Sequence, residues 1–120
     1  MATVESKMKA LGIGPPDSVL QFSIRETTGF VVTARMSHND DVVAKWKSEE
    51  IVGKTVEEPL TLPGAYKLEL LVSVFSKKAM DVNVDVALTP PGGAAAPKTM
   101  TFKNKKTGDV CEALAFAVIQ

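Results

Sequence analysis

The sequence predicts an all-β domain: a two-sheet antiparallel β-sandwich of seven to eight strands. Three observations predict it. From Ser18 onward apolar residues recur at every second position in run after run, the period of a half-buried strand. The runs are separated by short clusters such as TTG, SHNDD, SKKA and NKKTG, which are turn chemistry. Only one short stretch near the start carries a helical period, so helices are too few to cover a parallel sheet.

Residues 3–11 are expected to form a short helix. Val4, Met8 and Leu11 recur at i, i+4 and i+7, with Thr3 to cap the start and Gly12 to end it. GIGPP then forbids regular structure through Pro16. Residues 1–17 thus read as an N-terminal segment and 18–120 as the single sandwich domain. So short a helix is marginal alone and must dock on the body or fray.

Leu20, Phe22 and Ile24 alternate with Gln21, Ser23 and Arg25; after TTG, Phe30, Val32, Ala34 and Met36 alternate with polar positions. The parity fits a hairpin in which Glu26 faces Phe30 across the loop Thr27-Thr28-Gly29, with glycine where a left-handed residue is needed. That register pairs Ile24 with Val32, Phe22 with Ala34 and Leu20 with Met36, and on the other face Gln21 with Arg35 and Ser23 with Thr33. Val42, Ala44 and Trp46 form the next strand. Residues 48–55 are polar, with Gly53 as a break. Pro59 places the weak strand 56–62 at an edge or leaves it irregular.

Tyr66, Leu68, Leu70, Val72 and Val74 mark a long strand, whose end is expected to be covered on both sides because Leu71 and Phe75 occupy the opposite face. Residues 80–88 form another strand, 89–98 a long loop rich in Pro, Gly and Ala, and 99–103 a short strand. The last segment, DVCEALAFAVIQ, supports two readings. Asp109 with Glu112 resembles a capping box and alanine favours helix; the alternation of Leu114, Phe116 and Val118 after a turn favours strand. As a strand it carries a small, dry face of Cys111, Ala113, Ala115, Ala117 and Ile119, suited to close contact with another element or another subunit.

The phrase LTLPGAYKLELLV, residues 60–72, resembles the entry to a late central strand in immunoglobulin-like and fibronectin type III-like sandwiches. There a tyrosine turns back to hydrogen-bond the preceding corner. Jelly-roll carbohydrate-binding modules carry a similar phrase with a tryptophan upstream, for which Trp46 is the candidate. The resemblance implies an immunoglobulin-like or jelly-roll sandwich, with Tyr66 as the corner tyrosine and Leu62 as a core residue of the corner. It carries no binding residue across. Two strand-like segments and a long loop after the phrase depart from a plain fibronectin module and imply extra strands or a jelly-roll order.

The totals bound the function. Fourteen basic residues balance 14 acidic ones, so no global field draws the chain to nucleic acid or an anionic membrane. One cysteine forms no internal disulfide, and the N-terminus has no signal-peptide pattern. The expected location is cytoplasmic, or secreted if a leader has been lost, and no apolar run is long enough for a membrane span.

Asp81, Asn83 and Asp85 match the opening of a calcium loop, but position six is Val86 where glycine is required, and position twelve is Gly92 where glutamate is required. In a strand, residues four apart lie about 13 Å from each other, so Asp81 and Asp85 cannot share one ion. The expected cofactor is none. Calcium remains only as a cross-strand case, with Asp81 or Asp85 meeting His38, Asn39, Asp40 or Asp41 from a neighbouring loop.

No nucleophile elbow, phosphate loop or zinc spacing is present. A pairing of His38 with Cys111 is the one nucleophile–base combination to check. Two surfaces are candidates for binding. One is the outward hairpin strip, where Gln21, Arg25 and Arg35 suit a carboxylate, phosphate or sugar, with Trp46 as the only candidate aromatic platform. The other is the lysine set Lys77, Lys78, Lys103, Lys105 and Lys106, a basic patch if both turns share one end and otherwise a solvated guard against edge aggregation. Nucleic acid is disfavoured because no aromatics interleave the lysines. The leading expectation is a non-catalytic interaction or assembly module, with self-association through a sheet edge or the alanine-faced strand as its natural mode. The alternative is a small-ligand, carbohydrate-binding module assisted or not by calcium.

Overall fold

In the computed structural model, which describes residues 3–120, nine strands form two sheets. In chain order they are β1 (Val4–Gly14), β2 (Ser18–Ile24), β3 (Phe30–His38), β4 (Asp41–Trp46), a single-turn helix α1 (Ser48–Ile51), β5 (Val56–Leu60), β6 (Gly64–Val74), β7 (Met80–Thr89), β8 (Lys98–Lys105) and β9 (Val110–Ile119). The five-stranded sheet runs β1-β9-β6-β3-β4 and the four-stranded sheet β5-β2-β7-β8. All pairings are antiparallel except β1 with β9. Only β3–β4 and β7–β8 are hairpins; every other connection crosses between the sheets.

The alternating apolar positions fill the space between the sheets. Phe22, Phe102, Leu68, Leu70, Val32, Val72 and Val82 are all buried there. The last segment is a strand, and its small face is part of this interior: Cys111, Ala113, Ala115, Ala117 and Ile119 are each at most 4% exposed. Of the two contacts expected for this face, another element or another subunit, the structure shows the first: the face packs inside the sandwich. Small side chains are accommodated because the facing sheet supplies Phe22, Met100 and Phe102 to the same core.

Four expectations are corrected. Residues 3–11 are not helical: β1 lies along β9 from Val4↔Val110 to Gly14↔Ile119. The apparent helical spacing arises because Val4 and Met8 share the outer face while Leu11 falls at a bulge between Ala10 and Gly12, which shifts parity by one. Residues 18–36 are not a hairpin. Phe22 pairs with Val56 and Val86, and Ala34 with Leu70 and Trp46, in different sheets. A sheet-crossing connection satisfies the same parity, since both strands point their apolar residues into one core.

The end of β6 is covered on one side only, with Leu71 and Phe75 exposed. Finally, residues 48–55 contain α1, where Glu50 accepts the Lys47 backbone N–H at 3.0 Å and Ile51 is fully buried. Beside it, Ser48 Oγ accepts the Val32 N–H at 2.8 Å and donates to the Val32 carbonyl at 2.9 Å, replacing the ladder bonds that β4 no longer supplies. β5 does lie at an edge, with Pro59 in it.

The corner before β6 is formed as the phrase implies. Tyr66 Oη donates to the Leu62 carbonyl at 2.8 Å. Leu62 itself is exposed, and Leu60 is the buried residue of the corner. The β3–β4 turn, a two-residue loop with positive φ at Asn39 and Asp40, locks this corner from the side. His38 Nε2 lies 2.8 Å from the Pro63 carbonyl, and Asn39 Oδ1 accepts the Ala65 N–H at 3.0 Å. Gly64 has φ +139°, and a Cβ there would stand 2.6 Å from His38 Nε2, so only glycine fits. No helix of the described residues is long and apolar enough to cross a membrane.

Candidate functional site

The sheet-crossing of β2 and β3 divides the predicted ligand strip. Gln21 and Arg25 lie on the outer face of the four-stranded sheet, whereas Arg35 lies on the outer face of the five-stranded sheet. The pairs Gln21–Arg35 and Ser23–Thr33 do not exist. The strip fails because parity assigns a face relative to the core, not the sheet a strand joins.

On the four-stranded sheet, Gln21, Ser23, Arg25, Asp85 and Thr99 line a groove of about 460 Å³, walled on one side by Ala95 and Pro97 of the β7–β8 loop. Ser23, Asp85 and Thr99 stand side by side in the ladder. Arg25 grips Asp85 with two hydrogen bonds, Nε to Oδ2 at 2.8 Å and Nη2 to Oδ1 at 2.9 Å, and reaches Thr99 Oγ1 at 2.9 Å. Thr99 also donates to Asp85. The guanidinium holds the Asp85 carboxyl below its ordinary range, against the opposing effect of partial burial.

The polar ladder continues on both sides. Gln21 Nε2 donates to Glu57 at 2.9 Å. Asn83 receives the Thr101 hydroxyl at 2.8 Å and donates its side-chain amide to Glu26 at 2.8 Å. On this face Gln21, Arg25, Asn83, Asp85, Thr99 and Thr101 each bond a cross-strand neighbour.

The residues proposed for a cross-strand calcium site do not converge. Asp85 is bound to Arg25, and Asp81 Oδ1 accepts the Asn104 N–H at 3.0 Å. His38, Asp40 and Asp41 sit in the β3–β4 turn, at the end of the sandwich opposite Asp81. Among the described residues no three His, Cys, Asp or Glu side chains are grouped to hold a metal. His38 and Cys111 also lie at opposite ends, since His38 pairs with Tyr66 and Cys111 with Val72. Burial pushes the Cys111 thiol up to about 11.

Arg35 and Trp46 both line a cleft of about 390 Å³ on the five-stranded sheet, with Thr33, Lys45 and Leu71. Arg35 is paired with Glu69 at 3.1 Å. Trp46 is not an outward platform: it stands opposite the inward Ala34 and packs edge-on against Phe22, centroids 5.1 Å apart. The two lysine turns do meet at one end, because Thr107 Oγ1 donates to the Phe75 and Ser76 carbonyls at 3.1 and 2.7 Å. Lys105 is not part of that surface: it is buried and paired with Glu5.

Sequence reasoning missed an exposed apolar row on β1 and β9. On the outer face of the five-stranded sheet, Met8 stands beside Leu114, Ala10 beside Phe116, and Ile13 beside Val118. Val4, Met8 and Ile13 are 72%, 67% and 66% exposed, and Phe116 and Val118 are 38% and 37% exposed. Polar residues that would solvate such a row are nearly absent from it; Ser6 and Glu112, bonded to each other at 2.8 Å, interrupt it once. The signal lay in Leu114, Phe116 and Val118 alternating with a face already small and dry, so that both sides of β9 are apolar. Comparison with family models, with curated proteins and with solved structures finds no match to this chain.

Proposed function

We propose that this protein is a non-catalytic module that works by protein contact, through the outer face of β1 and β9. The observation that carries the reading is the exposed apolar row Val4, Met8, Ile13, Phe116 and Val118, with Leu114 half-buried in its middle, on the outer face of β1 and β9. Contiguous apolar surface costs about 25 cal/mol for each Å² left in water, and on soluble proteins such rows mark contact surfaces. The alanine face no longer supports association, so the reading rests on the opposite side of the same strand.

The test is site-specific photo-crosslinking in cells of the source organism. A benzophenone side chain at position 116 is expected to give protein adducts of defined mass, and the same group at position 23, on the other sheet, is expected to give none. Equal labelling from both positions, or none from 116, contradicts the reading.

The groove favours a second reading, a small-ligand module for carbohydrate. Gln21 and Arg25 do come together there with Ser23 and Thr99, giving hydrogen-bond donors and acceptors in a row. No exposed aromatic lines it, which weakens the reading, because sugar sites commonly use a ring as a floor. Calorimetry against a glycan panel tests it: binding abolished by Arg25→Ala supports the groove, and no heat with any glycan removes it. A thermal shift produced by calcium and reversed by chelator would reopen the metal question; none is expected.

A further inference from the structure

We propose that this chain also pairs with a second copy of itself, antiparallel along the β1 edge about a two-fold axis at Ser6. The pairing goes beyond the contact-module reading: it uses the backbone edge beside the apolar row and leaves the row itself free for a partner. Across the β1–β9 ladder Val110 donates to the Thr3 carbonyl. In the regular stretch before the bulge, odd residues therefore turn their backbone groups to β9, and Val4, Ser6 and Met8 turn theirs outward from the sheet edge. Ala10 follows the same rule: its outward carbonyl is taken by Lys98 Nζ at 2.8 Å. The edge thus presents a short run of unpaired N–H and C=O groups bounded by a capped one, a template for another strand.

Charge selects the register. With Ser6 opposite Ser6 of the second copy, Val4 meets Met8 and Met8 meets Val4, and each of these pairs closes its outward hydrogen bonds. Glu5 then faces Lys7 of the second copy, and Lys7 faces Glu5. A slide of two residues one way places Glu5 against Glu5; the other way places Lys7 against Lys7. A slide of one turns bonded groups toward positions whose own groups point to β9, and it mixes the faces. Of these registers only the Ser6-centred one pairs Glu5 with Lys7 and sets no like charges opposite each other, and it joins the exposed Val4 and Met8 side chains; Glu5 keeps its pairs with Lys7 and Lys105 of its own chain. The interface is isologous, as a two-fold requires. It joins two five-stranded sheets and makes their apolar rows continuous.

Cysteine at the axis tests this. Bonded antiparallel pairs bring Cα atoms to about 5.5 Å, within disulfide reach. Cys111 is buried and does not compete. Mild oxidation of Ser6→Cys is expected to give a linked dimer, while Lys9→Cys, which would face Thr3 of the second copy, stays unlinked. Sedimentation of the unaltered chain should show mass doubling with concentration. Ser6→Pro removes the axial N–H together with the Ser6–Glu112 hydrogen bond, whereas Ser6→Ala removes only the latter; Ser6→Pro should therefore remain monomeric while Ser6→Ala dimerises like the parent. A strictly monomeric chain, an unlinked Ser6→Cys, or a Ser6→Pro that dimerises as well as the parent overturns the pairing. If those results come with adducts still forming from position 116, the edge pairing falls and the contact-module reading stands; if both fail, both fall.

Discussion

The outer faces of the two sheets are built from the same alternation and end in opposite conditions. On the four-stranded sheet the outward positions are Gln21, Arg25, Asn83, Asp85, Thr99 and Thr101, and each is hydrogen-bonded to a neighbour across the ladder. On the β1–β9 side of the five-stranded sheet they include Met8 and Ile13, about two-thirds exposed, and Phe116 and Val118, more than a third exposed, with Leu114 half-buried between them. A strand needs an apolar inner face to fold. What stands on its outer face is not fixed by that need, so the outer face is where a difference between sheets reports on use. The polar face is complete in water, and the apolar one is complete only when covered.

The comparison is broken hardest by exchanging inside for outside. Phe102→Ala, on an inner face, should cost about 3–5 kcal/mol, read by chemical denaturation. If Phe116→Ala cost as much, Phe116 would be core and the uncovered row would not exist. Next in size is the polar network: Asn83→Ala removes bonds to Thr101 and Glu26 and should cost about 1 kcal/mol. A null result there would mean that the face is merely wetted.

A pH series sharpens the same point. The Asp85 carboxyl is held low by Arg25, and its unfolded value is about 3.9. Above that value the native and unfolded states are both ionised, and the native pairing contributes fully. As pH falls through the depressed native value the unfolded state has already bound the proton, so stability drops with pH. Arg25→Gln should flatten this acid loss in melting temperature between neutral and acid pH; an unchanged profile would detach Arg25 from Asp85. The smallest effect belongs to Phe116→Ala itself, within about 0.5 kcal/mol, together with loss of contact.

Much of the architecture was legible in the alternation. β2, β3, β6, β7 and β9 each show it, and the Tyr66 corner follows from LPGAY. What was illegible has a common cause. Period two states which side chains face a core and not which sheet the strand joins, so the Thr27–Gly29 loop read as a hairpin although it carries the chain between sheets. β1 turns charged Glu5, Lys7 and Lys9 rather than apolar residues to its inner side, and its bulge at Leu11 leaves no clean period for inspection. α1 is too short to show a period at all. Of the candidate site, Gln21 and Arg25 were correctly joined, and Arg35 was joined to them wrongly for the same topological reason. His38 and Asn39 looked like ligands because turn residues carry polar side chains; here those side chains hold the Gly64 corner.

The most direct measurement is residue-resolved hydrogen exchange of β1 as a function of protein concentration. The amides of Val4, Ser6 and Met8 should exchange freely in dilute solution and become protected as concentration rises, while Glu5 and Lys7, already bonded to β9, stay protected throughout. Rapid exchange of Val4, Ser6 and Met8 at every concentration would contradict the pairing.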